Sequence, residues 1–239
     1  MSIVIWATAM LVMAGAATVQ GAVGLGMMMI AVPVLSLLNP SLAPAPQLLV
    51  ALPLTISMAW RERGAIDFSK VGWILAGRIP GAFIGVYLLG VASARALDAF
   101  IGVAVLAAVI VIGRGVQVRR TRTTGTLAGI ASGASSIVSS IGGPAIALLY
   151  SRDEAATIRS TLAFLFTFGI STSVIFRTAA GHFTWFDVRV AGVLLPAVFA
   201  GMWVSGRIKD NMSSSLVRTG VLAVCASASA GLLIRAALG

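Results

Sequence analysis

Residues 139–149, SSIGGPAIALL, set two glycines and a proline inside an otherwise apolar stretch. Gly142 and Gly143 can leave helical geometry cheaply because glycine tolerates positive φ, while Pro144 lacks an N–H and disfavours helix at the residue before it. A break here frees backbone N–H groups at the start of a new helix, where the dipole adds positive potential, and that is anion-binding chemistry. Ser135, Ser136, Ser139 and Ser140 supply hydroxyl donors just upstream. A second cluster in VQGAVGLGMMMIAVP carries Gln20, Gly21, Gly24, Gly26 and Pro33. Glycine and serine also serve tight packing of membrane helices, but two breaks in corresponding positions favour a binding site. The expected substrate-binding set is Gln20, Gly24, Gly26, Pro33, Arg78, Ser139, Ser140, Gly142, Gly143 and Pro144.

Few other residues offer chemistry. Arg78 in GWILAGRIPGAF lies about 10 Å into a helix counted from Val71, at roughly 1.5 Å per residue. It can snorkel toward the basic side or face an anion, and snorkelling is slightly preferred. Arg159 and Arg177 read as interface anchors, with guarding of an anion entrance as the alternative. Asp67 and Asp187 fall in turns before helices and read as caps. No acidic residue lies deep in an apolar segment, so no proton-coupling group is visible. Ser135 with His182 is a poor serine-hydrolase pair, because His182 sits in the polar turn AGHFTWFD; no enzyme activity is expected. One His and one Cys cannot build a common zinc site, and neither metal nor cofactor is expected. The lone Cys225 reads as a small core residue, and Met27 to Met29 read as packing or lipid-facing. Gly81 and Gly85 have the GxxxG spacing of close helix packing or dimerisation, which makes a homodimer the candidate assembly.

The elements that must position these residues follow from composition. The chain has 239 residues, 59% hydrophobic and 10% charged, with a mean hydropathy of +1.02, and is expected to be an all-α integral membrane protein in contact with lipid. Its net charge of +10 does not point to nucleic acid, since the basic residues fall in short loops rather than in a dense block interleaved with aromatics. The start of the chain resembles a signal-peptide hydrophobic region with small residues at Ala14 to Ala17. Nothing basic precedes it, however, and the apolar run continues to Leu38, so it reads as retained membrane structure.

Apolar segments run over 3–38, 44–60, 71–90, 96–113, 126–150, 158–178, 187–206 and 213–237. A straight helix over the first would measure roughly 54 Å against a hydrocarbon core of about 30 Å, so it must bend, break or double back. Laying Pro33 on Pro144 also matches Ile30 with Ile141 and Leu37 with Leu148, while Pro80, Gly85 and Gly90 fall on Pro196, Gly201 and Gly206. The chain thus divides into repeats over 1–113 and 126–239, joined by a basic linker over 114–125.

Loop charge tests the crossings. With 3–38 and 126–150 as single spans, the loop Lys and Arg residues split ten to six. If each doubles back, one side holds only Arg95, Arg177, Arg189 and Arg235, and the other holds all remaining loop cations, Lys209 among them. The second arrangement fits the positive-inside rule. It predicts two inverted repeats, each a broken hairpin segment plus three transmembrane helices, with the linker cytoplasmic and both termini outside. Either the hairpin limbs are re-entrant or they are two full spans.

The stretches GAVGLGMMMIAVPVLSLL, SLAPAPQLLVALPLT and RERGAIDFSKVGWILAGRIPGAFIGVYL resemble the first half of the TauE/SafE sulfite-exporter family. IGGPAIALLYSRDEAATIRSTLAF and AGHFTWFDVRVAGVLLPAVFAGMWVSG repeat the pattern. The chain departs from it in the first segment, where Gly24 and Gly26 followed by three methionines replace a denser glycine cluster. The resemblance implies a multi-pass transporter of the bacterial inner membrane that exports sulfite, a sulfonate or a related small organic anion, with protons as the candidate coupling ion. The competing expectations are a passive anion channel, a non-transporting membrane subunit and, last, an intramembrane enzyme.

Overall fold

The computed structural model describes residues 2–208 and 214–238; Met1, Lys209 and Gly239 lie outside them. The described residues form ten α-helices and no strand: α1 (Ile3–Val23), α2 (Met27–Leu38), α3 (Ala45–Arg61), α4 (Val71–Val91), α5 (Ala94–Gly113), α6 (Arg122–Ser139), α7 (Gly143–Ala147), α8 (Ala155–Ala179), α9 (Trp185–Ile208) and α10 (Ser214–Leu238). Seven of them, α1, α3, α4, α5, α8, α9 and α10, contain stretches long and apolar enough to cross a membrane. Their outward faces carry exposed Leu11, Phe83, Tyr87, Ile175, Trp203 and Ile234. Apolar side chains facing outward all round a bundle suit lipid as the surrounding solvent.

Both unusual segments double back. The first breaks at Gly24 and Gly26, whose φ values of +94° and +120° only glycine adopts freely. Pro33, expected to be part of this break, instead lies buried inside α2. The second segment breaks at Ser140, ahead of Gly142 and Gly143: Ser140 takes the left-handed conformation, φ +60°, and its hydroxyl donates to the Pro44 carbonyl at 2.8 Å. Gly142 serves close approach instead, because a Cβ there would sit 2.8 Å from Ser132 Oγ.

Glycine also sets the tightest helix contact. Along α4, a Cβ at Gly77 or Gly81 would fall on the carbonyls of Thr126 or Ile130, and one at Gly85 would stand 2.8 Å from the carbonyl of Ala134, so α4 and α6 run side by side in the same direction. The Gly81–Gly85 spacing is therefore used within the chain, and α6 covers the face that a second chain would need. A second pair is just as close: Gly201 of α9 lies against Ala14 of α1, and Gly21 of α1 lies against Ser205 of α9. The remaining helices pair α3 with α8 and α5 with α10.

Polar bonds gather at the linker end of the bundle. Arg120 pairs with Asp67 at 3.0 Å and Asp153 at 2.9 Å and stacks on the Tyr150 ring. Arg159 holds Glu62 through two nitrogens, and Arg152 donates to Gln117. At the opposite end Arg235 grips Asp98 and the Ser36 carbonyl. Arg61, Arg63, Lys70, Arg114, Arg119, Arg120, Arg122, Arg152, Arg159 and Arg207 thus share one end, away from Arg95, Arg177, Arg189 and Arg235.

Candidate functional site

Two chain reversals meet between α4 and α8. In the first, the Gln20 side-chain oxygen accepts the Met27 N–H at 3.0 Å, so the end of α1 caps the start of α2. In the second, Ser139 Oγ accepts the Ile141 N–H at 3.3 Å and donates to the Ser135 carbonyl at 2.7 Å. Ser139 is fully buried and shapes the turn. Helix α7 has only five residues, too short to sum much of a dipole, so the electrostatic weight of the site falls on a side chain.

That side chain is Arg78. It does not snorkel: it is 2% exposed. Its Nη1 donates to Ser132 Oγ at 2.6 Å, and the same hydroxyl donates to the Gly142 carbonyl at 2.6 Å. Ser132 therefore ties the guanidinium to the break in the second half. The guanidinium lies against Gly169 of α8, where a Cβ would occupy its position. Its Nε is buried without a hydrogen-bond partner, and among the described residues no carboxylate forms an ion pair with it. A buried cation left without a counterion is costly, so the site is poised to accept a negative charge.

Between the two reversals lies a cavity of about 40 Å³. Of the expected residues, Gln20, Gly26, Arg78, Ser140, Gly142, Gly143 and Pro144 line it. Gly24 does not; it packs under Arg159, whose Cγ would stand 2.9 Å from a Cβ there. Pro33 and Ser139 do not line it either. Thr55, Ser136, Phe166 and Ile170 complete the wall, together with Leu25, Met28 and Met29. Phe166 closes on Gly143, its ring 3.2 Å from where a Cβ would be. Leu25 and Met29 also border a larger cavity of about 620 Å³ toward the linker end, reached by Gln117, Ser151 and Ile158. The described residues contain no cluster of His, Cys, Asp or Glu that would hold a metal.

A bundle with seven helical stretches long and apolar enough to cross a membrane is the architecture of a multi-pass membrane protein. The family model for the sulfite exporter TauE/SafE matches residues 9–232, and the chain belongs to that family. That family is one of membrane transporters of the sulfite and anion exporter kind, not a family of enzymes. No curated protein and no solved structure matches the chain.

Proposed function

We propose that the protein exports a small oxyanion, with sulfite as the first candidate, through the Arg78 cavity between the two chain reversals. The observation that carries this reading is the arginine itself, 2% exposed, without an ion pair among the described residues, and lining a largely apolar cavity together with Thr55, Ser136, Ser140 and the Gly142–Gly143 turn. Its planar fork suits an oxyanion better than a point charge would. The size of the cavity supports a small ion: at about 10–15 Å³ for each water-sized occupant, it has room for a few heavy atoms and not for a long organic sulfonate. The larger cavity supplies an approach from the linker end, which the positive-inside rule makes cytoplasmic. That orientation sets both termini outside.

The same reading takes residues 1–113 and 126–239 as inverted repeats about the 114–125 linker. What supports it is the exchange of partners: α1 packs on α9 as α6 packs on α4, and α3 and α5 meet their own counterparts α8 and α10. Helix α6 itself starts at Arg122, inside the expected linker. The test is sulfite efflux from liposomes holding purified protein. Efflux should be saturable and fall at least tenfold in Arg78→Gln, with Arg78→Lys intermediate. Equal rates in Gln and wild type would remove Arg78 from the pathway, and flux that never runs against a sulfite gradient would replace the transporter with a channel.

A further inference from the structure

Among the described residues, Arg177 is a second arginine that the bundle buries without an ion pair, and it lies beyond the central cavity on the way to the end opposite the linker. It stands in the last turn of α8 and is 3% exposed. Its Nε and Nη1 are buried without a hydrogen-bond partner. Asp187, whose charge reaches it, makes no ion pair with it; that carboxylate accepts from the Thr184 N–H at 2.8 Å and hydroxyl at 2.7 Å.

Position on α8 links Arg177 to the cavity. Phe166, Ile170, Ser173 and Arg177 follow the i, i+4, i+7, i+11 spacing, which confines them to about 60° of arc at roughly 100° per residue. Phe166 and Ile170 line the cavity. One turn on, the buried Ser173 hydroxyl shares a hydrogen bond with Ser136, 2.9 Å away, and Ser136 lines the cavity too. The guanidinium of Arg78 rests on Gly169, and Arg177 is eight residues further along, about 12 Å at 1.5 Å per residue. The face of α8 that walls the cavity thus continues as a hydroxyl and then as a second unpaired guanidinium. An interface anchor would expose its charge to water or headgroups; this one does not.

We propose that Arg177 is a second binding station for the same small oxyanion, which passes from Arg78 by the Ser136–Ser173 hydroxyl pair and leaves from Arg177 at the end opposite the linker. The proposal rests on the anion-transport reading of the Arg78 cavity. In this structure the hydroxyl pair bridges α6 and α8. Two stations of one sign, about a dozen ångströms apart, let an anion move without giving up a compensating charge.

The test uses sulfite as the probe and full-length protein in liposomes, with half-saturation measured separately from each face, and Arg78→Gln carried alongside. Arg177→Gln should raise half-saturation from the face opposite the linker about tenfold, leave it within twofold from the linker face, and slow net efflux. Arg177→Lys, which keeps the charge, should fall between Gln and wild type. A merely structural arginine would change both faces together or neither, and either result overturns the proposal. If Arg177→Gln does not yield monodisperse protein, the Lys variant carries the test: a wild-type value from the face opposite the linker overturns it. Loss of flux in Arg78→Gln with a neutral Arg177→Gln removes the second station alone, whereas a neutral Arg78→Gln removes the central site.

Discussion

Replacing Ser132 with Ala removes one hydroxyl that serves two partners. Ser132 Oγ accepts from Arg78 Nη1 and donates to the Gly142 carbonyl, both at 2.6 Å, and the residue is fully buried. A hydrogen bond to a charged group contributes about 1.5–3 kcal/mol and a neutral one about 0.5–1.5 kcal/mol. The variant should therefore lose roughly 2–4 kcal/mol of stability. It should also lose position: an unanchored guanidinium no longer holds the geometry that a bound oxyanion needs, so sulfite affinity should drop by at least tenfold. The assay is thermal unfolding of detergent-purified protein with and without sulfite, since a ligand at 100 times its Kd adds about 2.7 kcal/mol to the folded state. Wild-type melting together with undiminished stabilisation by sulfite in Ser132→Ala would refute the link between Arg78 and the second chain reversal.

Gly81→Val should abolish correct folding, because its side chain would meet the Ile130 backbone on α6; Gly192→Ala, with open space around it, should express and transport like wild type, and size-exclusion profiles of the two decide. Asp67 is held below its ordinary carboxylate range by hydrogen bonds from Ser69 and by the charges of Arg120 and Lys70. A depressed folded value means its contribution to stability is whole above the unfolded value, near pH 4, and fades as pH falls through the folded one. Asp67→Asn should thus lower stability near neutrality, meet the wild type at the acid end where the carboxylate is protonated, and so flatten the acid limb of the unfolding profile. Reporter fusions should place the 114–121 connection in the cytoplasm and the C-terminus outside; a cytoplasmic C-terminus in intact cells would contradict the proposed orientation.

The two reversals were legible because their cause is local: glycines at 24 and 26, and the serine, glycine and proline run from 139 to 144, interrupt an apolar pattern wherever they occur. So were the cavity residues on those reversals, Gln20, Gly26, Ser140, Gly142, Gly143 and Pro144. Thr55, Phe166 and Ile170 carry no such mark, since they sit within unbroken helices and only the packing of α3 and α8 brings them to the cavity. Arg78 could be placed at a depth but not in a direction, because the turn of α4 that aims it inward is fixed by the glycine contact with α6. Gly169 is a signal the sequence carries: a small residue amid FLFTFGIS, against the arginine in the body of α4. Arg177 was read as an anchor from its place near a helix end, a reading that only its burial reverses. The GxxxG spacing shows that something packs closely on α4 and cannot show that the partner, Ile130 against Gly81 and Ala134 against Gly85, lies in the same chain rather than in a second copy.

The central claim is that an oxyanion binds Arg78 between the chain reversals, and selenite, a heavier analogue of sulfite, tests it most directly. Crystals of the protein grown with selenite should show an anomalous selenium peak in the cavity between Gly26 and Gly142, with an oxygen within hydrogen-bond distance of Arg78 Nε. A saturated selenite complex with its peak elsewhere, and Arg78 Nε bonded instead to a protein carboxylate, would contradict the account.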